Sequence, residues 1–277
     1  MPLVPTAQIV TAAAAAGSGA AAFNVVTLET AEALVGAAER AARPLILQIS
    51  QNCAAFHGSL TPLAAATRAV AEASDAVLAL HLDHAEDADL ARRAVDLGFG
   101  SVMFDGAALP YDENVRVTAA VAAYAHERGA WIEAELGEIG GKDGAHAAGV
   151  RTDPDEAAAF VAATGVDLLA VAVGSTHART DRTTRLDLDL IARLRDAVPV
   201  PLVLHGSSGV ADDHLREAVA AGIVKVNVST HLNGHFTRAV RSVLDADERI
   251  VDLRRYLGPG RDAMADEAAR LLALIAG

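Results

Sequence analysis

LALHLDHA (78–85), AVAVGSTHA (170–178) and PLVLHGSSG (201–209) each run from a few Val, Leu and Ala residues into a histidine: His84, His177 and His205. Short apolar runs of this kind, bounded by Gly or by a polar cluster, read as strands buried on both faces in a parallel sheet. In that reading each histidine ends its strand, at the mouth of an α/β fold. Three neutral imidazoles converging there, with Asp83 beside one of them, fit a catalytic zinc site, in which three protein ligands leave a fourth position for substrate. The alternative is three unrelated histidines, each hydrogen-bonded on its own account. Their equivalent placement at three strand ends weighs against it.

Five more β-rich runs, at 21–26, 45–50, 101–106, 130–137 and 224–230, bring the expected strands to eight. Segments with helical spacing lie between them, such as Thr30 to Ala42, Asp87 to Leu97, Asp112 to Glu127 and Asp155 to Ala163, several opening on a capping Asp or Thr. Strict alternation implies right-handed βαβ units and a parallel sheet. Eight units without a composition break predict one α/β domain over 1–277, a (β/α)8 TIM barrel with an extra N-terminal helix (Pro5 to Ala16) and a C-terminal helix (Arg261 to Ile275). The 277 residues suit a fold that needs about 250. The stretch 138–153 is long, Gly-rich and polar, and reads as a mobile active-site loop.

A net charge of −13 argues against nucleic acid or an anionic membrane as partner and leaves a small molecule. Cys53 is the single cysteine, so no disulfide framework or cysteine-rich metal site is expected. No basic region precedes the N-terminal alanines and no apolar run approaches the ~18 residues of a membrane span, which predicts a cytoplasmic protein.

Strand residues alternate between barrel lumen and helix layer. His81 and Asp83 therefore share a face, with Asp83 at the mouth and His81 a layer below as a core histidine. Asp83 beside His84 could give or take a proton at the substrate, or could simply orient a histidine. Glu133 and Glu135 share a face and Asp105 ends a strand. Buried carboxylates need cations: Asp105 and Glu135 could form an alternative metal position, and Lys225 could equally neutralise the cluster. HGSSG (205–209) and NVST (227–230) place small hydroxyl residues and Gly between a strand and a helix, an anion site that fits a phosphorylated substrate.

With these residues placed, the chain resembles the class II, metal-dependent ketose-bisphosphate aldolases, the fructose- and tagatose-bisphosphate aldolase family. AFNVVTLET (22–30), LHLDHAED, SVMFDGA, IEAELGEIGG, DLLAVAVGSTH, VPLVLHGSSGV, KVNVST and YLGPGRDAM (256–264) carry the resemblance, in order, over nearly the whole chain. It implies zinc held by His84, His177 and His205, and Asp83 acting on the hydroxyl next to the bond being broken. Asp105 and Glu135 match a secondary metal position. Gly206, Ser207 and Ser208 with Asn227, Val228, Ser229 and Thr230 match the segments that bind dihydroxyacetone phosphate, Asn227 also bonding the negative charge that develops there. Asn24 and Ser50 match positions lining the same pocket. Ala178 stands where the family usually has Gly, whose backbone helps hold the phosphate or a monovalent cation. The acidic pair of the family's loop appears as Lys142 and Asp143, with Asp143 the candidate base and Glu138 its substitute. The implied reaction is reversible cleavage of fructose 1,6-bisphosphate, with the tagatose epimer or another ketose phosphate as alternative, by a homo-oligomer (dimer or tetramer). A Schiff-base aldolase using Lys225, a non-catalytic phosphosugar-binding barrel and a zinc hydrolase are the competing readings.

Overall fold

A computed structural model describes residues 3–136 and 151–277, so Glu138, Lys142 and Asp143 lie outside the described residues. Eight strands, β1 (Ala20–Asn24), β2 (Leu45–Ser50), β3 (Leu78–Ala85), β4 (Ser101–Phe104), β5 (Trp131–Leu136), β6 (Leu168–Val171), β7 (Leu202–Leu204) and β8 (Ile223–Val228), close into one barrel in sequence order. All eight pairings are parallel. The fold is the expected TIM barrel. Its helices are α1 (Thr6–Ala16), α2 (Leu28–Ala41), α3 (Gln51–Phe56), α4 (Leu60–Glu72), α5 (Ala88–Asp96), α6 (Tyr111–His126), α7 (Pro154–Thr164), α8 (Leu188–Ala197), α9 (Asp212–Ala221), α10 (Thr230–Ala246) and α11 (Arg254–Ala276). The terminal helix starts at Arg254 rather than Arg261 and carries Pro259 within it. Carboxylate caps start several helices: Asp87 accepts the Asp89 N–H at 2.8 Å, and Asp153 accepts those of Asp155 and Glu156. No helix among the described residues is long and apolar enough to cross a membrane.

Alternation along the strands divides the apolar residues into two layers. Outward-facing Leu, Val and Phe pack under the helices. Inward-facing Ala22, Ile46, Ala79, Met103, Leu168 and Val203 fill the lower lumen, which Ile9 and Val10 of α1 close from below. The extra helix is thus a plug for the bottom of the barrel.

Above that layer the lumen turns polar. Ser101 donates to Thr6 Oγ1 at 2.8 Å and accepts His81 Nδ1–H at 2.7 Å. Burial, reinforced by the nearby Lys225 ammonium, holds the His81 pKa well below the ordinary imidazole value. Lys225 and Glu133 are fully buried, and Lys225 Nζ donates to Glu133 Oε2 and Asn227 Oδ1, both at 2.8 Å. Breaking such a pair from one side strands a charge in a low dielectric, at about 3–5 kcal/mol. Lys225→Met is therefore expected to lower stability by about that amount in urea titration; an unchanged midpoint would show that the buried pair adds nothing net to stability.

Candidate active site at the barrel mouth

The register between β3 and β4 slips by one residue between Leu82 and Ala85, and within this bulge His84 takes a left-handed backbone, φ 47°. Strict alternation would send Asp83 and His84 to opposite faces. The extra residue re-aims the second side chain, so both line the same cavity.

His177 and His205 arrive differently from the sequence expectation. β7 ends at Leu204, and His205 follows it directly, but β6 ends at Val171, so His177 lies six residues into the following loop. The equivalence of three strand ends is thus corrected: one histidine sits in a bulge, one just past a strand and one in a loop. Two contacts hold that loop over β7. Thr184 N–H donates to the Gly209 carbonyl at 2.8 Å, and Gly206, at φ 64°, lies so close to Thr176 that a Cβ there would meet its carbonyl at 2.8 Å. Only glycine suits both the conformation and the approach.

The three imidazoles nevertheless converge, with one ligand nitrogen from each within 4.8 Å of the others and ring centroids 4.6–5.9 Å apart. His84 Nδ1 pairs with Asp105 Oδ2 at 2.9 Å and His205 Nε2 with Glu133 Oε1 at 2.8 Å. With those N–H groups given to carboxylates, the nitrogens the two rings turn toward each other, His84 Nε2 and His205 Nδ1 at 2.8 Å, are lone-pair donors. Imidazole lone pairs of this kind are a donor set that suits a divalent ion of borderline softness. His84, Asp105 and Glu135 form a second group within 4.8 Å, on the other side of the His84 ring.

Asp83 is 4% exposed; its Oδ2 accepts from Asn24 Nδ2 at 3.0 Å and its Oδ1 from Asn227 Nδ2 at 3.2 Å. Burial pushes this carboxyl up. The Coulombic pull of His84 and His205 in their protonated forms, that of the Lys225 ammonium and the Asn24 hydrogen bond outweigh burial, and it sits below its ordinary value. At neutral pH it is a carboxylate.

The cavity measures about 570 Å³ and lies at the C-terminal end of the barrel. Asn24, Ser50, Ala178, Gly206, Ser207, Ser208, Asn227, Ser229 and Thr230 all line it with the three histidines and Asp83, as does Gln48, which the sequence reading missed. Gln48 shares the inward face with Ser50 and donates to Asn24 Oδ1 at 2.7 Å; alternation along β2 could have found it. Val228 is off the wall because alternation turns its side chain into the outer core. Asp105 and Glu135 lie behind His84 rather than on the wall. Ser207 donates to the Asn227 carbonyl, tying the β7 turn to β8, and Ser208 Oγ accepts the His231 N–H at 3.1 Å. Lys225 does not line the cavity, and its ammonium is held by Glu133 and Asn227, which leaves no free amine for a Schiff base.

Ala178 is also left-handed, φ 58°. A residue with a Cβ held there costs roughly 1–2 kcal/mol, only partly offset by the extra chain entropy that Gly loses on folding. Ala178→Gly is therefore expected to fold, to raise the urea midpoint slightly and to tighten phosphate binding; a lowered midpoint would mean that the methyl group packs productively.

The family model described as Fructose-bisphosphate aldolase class-II matches residues 4–276. The chain is 38% identical over 246 residues to the fructose-bisphosphate aldolase of Geobacillus stearothermophilus, covering 87% of this chain and 86% of that one. It is 34% identical to the fructose-bisphosphate aldolase of Giardia intestinalis, covering 96% and 90% respectively. The crystal structure of the YdjI aldolase from Escherichia coli K12 superposes with a TM-score of 0.85 at 30% identity, over 99% of this chain and 97% of that one. With a histidine cluster suited to a divalent ion and a family match along almost its full length, this chain belongs to the class II fructose-bisphosphate aldolases and is a lyase of that class.

Proposed function

We propose that the enzyme uses zinc and cleaves fructose 1,6-bisphosphate reversibly to dihydroxyacetone phosphate and glyceraldehyde 3-phosphate. The observation that carries this reading is the convergence of His84, His177 and His205 in one cavity with an ionised Asp83 and a serine-rich turn. A divalent ion held by His84, His177 and His205 would polarise the ketose carbonyl and stabilise the charge that develops as C3–C4 breaks. Asp83, held at both oxygens by Asn24 and Asn227, takes the C4 hydroxyl proton. Asn227 turns its amide toward the negative oxygen of the three-carbon fragment. Backbone N–H groups of Gly206, Ser207 and Ser208 and of Val228, Ser229 and Thr230, at the start of α10, take the phosphate. Asn24, Ser50 and Ala178 shape the same pocket, and Asp105 with Glu135 supplies an alternative metal position beside His84. Asp143 exchanges the C3 proton. The family resemblance supports a homo-oligomer, a dimer or tetramer.

One observation favours a second reading, a ketose carrying only the 1-phosphate. Among the described residues lining the cavity there is no Lys or Arg for a second phosphate. Cleavage rates of fructose 1,6-bisphosphate, tagatose 1,6-bisphosphate and the two ketose 1-phosphates decide between them. Fastest turnover of fructose 1,6-bisphosphate upholds the first reading, and preference for a 1-phosphate the second.

Chelation should abolish cleavage and zinc should restore it, with His205→Ala lowering both metal content and turnover; normal zinc stoichiometry in that variant would remove His205 from the site. Asp83→Ala is expected to lose cleavage and condensation yet still to exchange deuterium into dihydroxyacetone phosphate, whereas Asp143→Ala loses the exchange as well. Wild-type exchange in Asp143→Ala with none in Asp83→Ala would reverse the two roles.

A further inference from the structure

A second group of metal-ligating side chains lies outside the barrel mouth, on the paired helices α10 and α11. His231 and His235 are four residues apart on α10 and so share one face, their ring centroids 4.9 Å apart. Glu267 of α11 faces them, its Oε1 paired with His231 Nε2 at 2.6 Å. One ligand atom from each of the three lies within 4.8 Å of the other two, and all three residues are partly buried.

The carboxylate is braced from behind. Arg270 donates to Glu267 Oε2 at 2.9 Å and to Oε1 at 2.7 Å, and is itself held by Asp212, which also accepts from Arg182. The guanidinium grips both oxygens and so fixes the plane of the carboxylate, with the second lone pair of Oε1 left for a metal. Its positive charge also weakens cation binding, and the Asp212 carboxylate behind it offsets part of that effect. The His235 imidazole makes no hydrogen bond among the described residues, although it lies beside the His231–Glu267 pair.

We propose that His231, His235 and Glu267 form a second divalent transition-metal site, separate from the three-histidine cluster. Two imidazoles at i and i+4 on one helix with a carboxylate from a neighbour are a donor set for zinc, cobalt or nickel rather than for magnesium or calcium. On binding, the hydrogen shared by His231 Nε2 and Glu267 Oε1 passes to His231 Nδ1 or to solvent, and both atoms turn to the ion. The site pins the first turn of α10 to α11. That turn also carries the His231 N–H that Ser208 Oγ accepts, a bond that forms without any ion.

The test is a metal count on chelator-stripped full-length protein dialysed against cobalt(II), for wild type, His235→Ala and Glu267→Gln, with folding checked by circular dichroism. His235 is partly exposed and touches no part of the aldolase cavity, so His235→Ala should fold and retain cleavage activity. Both variants are expected to bind one cobalt ion fewer per chain than wild type, to lose the corresponding part of the visible cobalt spectrum and to lose part of the thermal shift that zinc gives wild type. An equal count in wild type and both variants overturns the proposal. Failure of the barrel-mouth site reads separately, because it lowers the wild-type count without removing the difference made by His235→Ala.

Discussion

The ion pair between Lys225 and Glu133 decides which way the active-site donors face. Both residues are fully buried in the lumen, where neither charge is tolerable alone. Lys225 takes Glu133 Oε2 and Asn227 Oδ1, which fixes the Asn227 amide with its oxygen down and its N–H groups up toward Asp83. Glu133 Oε1 takes the Nε2 hydrogen of His205, which leaves Nδ1 as the nitrogen facing His84. One pair below the cavity thus sets an amide flip and a histidine tautomer above it. Below the pair, His81 and Ser101 form a separate hydrogen-bonded chain to Thr6 on the plug helix, with His81 Nε2 3.8 Å from Glu133 Oε2.

Backbone strain is concentrated beside the same chemistry. Among the described residues the non-glycine positions with positive φ are Ala42, at a helix end, and His84 and Ala178, at and next to candidate ligands. Each left-handed residue costs roughly 1–2 kcal/mol. In return the bulge brings two consecutive residues, Asp83 and His84, into one cavity, which a regular strand cannot do. The loop carrying His177 reaches the site only because Gly206 yields space to Thr176.

The barrel was legible in the sequence wherever burial alone decides structure. Leu45–Ser50 is a strand with the bounds its apolar run predicts, and Pro5 to Ala16 differs from α1 by a single residue. Periodicity could not locate His177, because Ala172 and Val173 continue the apolar run of β6 after its ladder has ended. The bulge at His84 was equally hidden: no glycine marks it, and tertiary packing imposes its left-handed backbone. Glu133, Glu135 and Asp105 were visible as carboxylates needing partners, but two outlets were open. The structure divides them, Glu133 to Lys225 and His205, and Asp105 to His84. The segment that carries Asp143 lies outside the described residues, so that reading stays with the sequence and the family.

The overall charge of −13 poses a problem for any phosphorylated substrate, and the geometry of the mouth answers it at short range. Beyond about 8–10 Å salt screens the protein's repulsion, so only the groups lining the cavity decide binding. The turn at Ser207–Gly209 and the start of α10 place backbone N–H groups and the positive end of a helix dipole on the β7–β8 side. Asp83 and His84 come from β3, across the barrel in strand order. In the function proposed above, a phosphate seated at β7–β8 would orient the sugar with its first carbons over the histidine cluster and its next hydroxyl toward Asp83. In that proposal a single anion site would set which bond lies at the chemistry, while the far end of the sugar, meeting no Lys or Arg among the described lining residues, would contribute to selectivity through shape and hydrogen bonding.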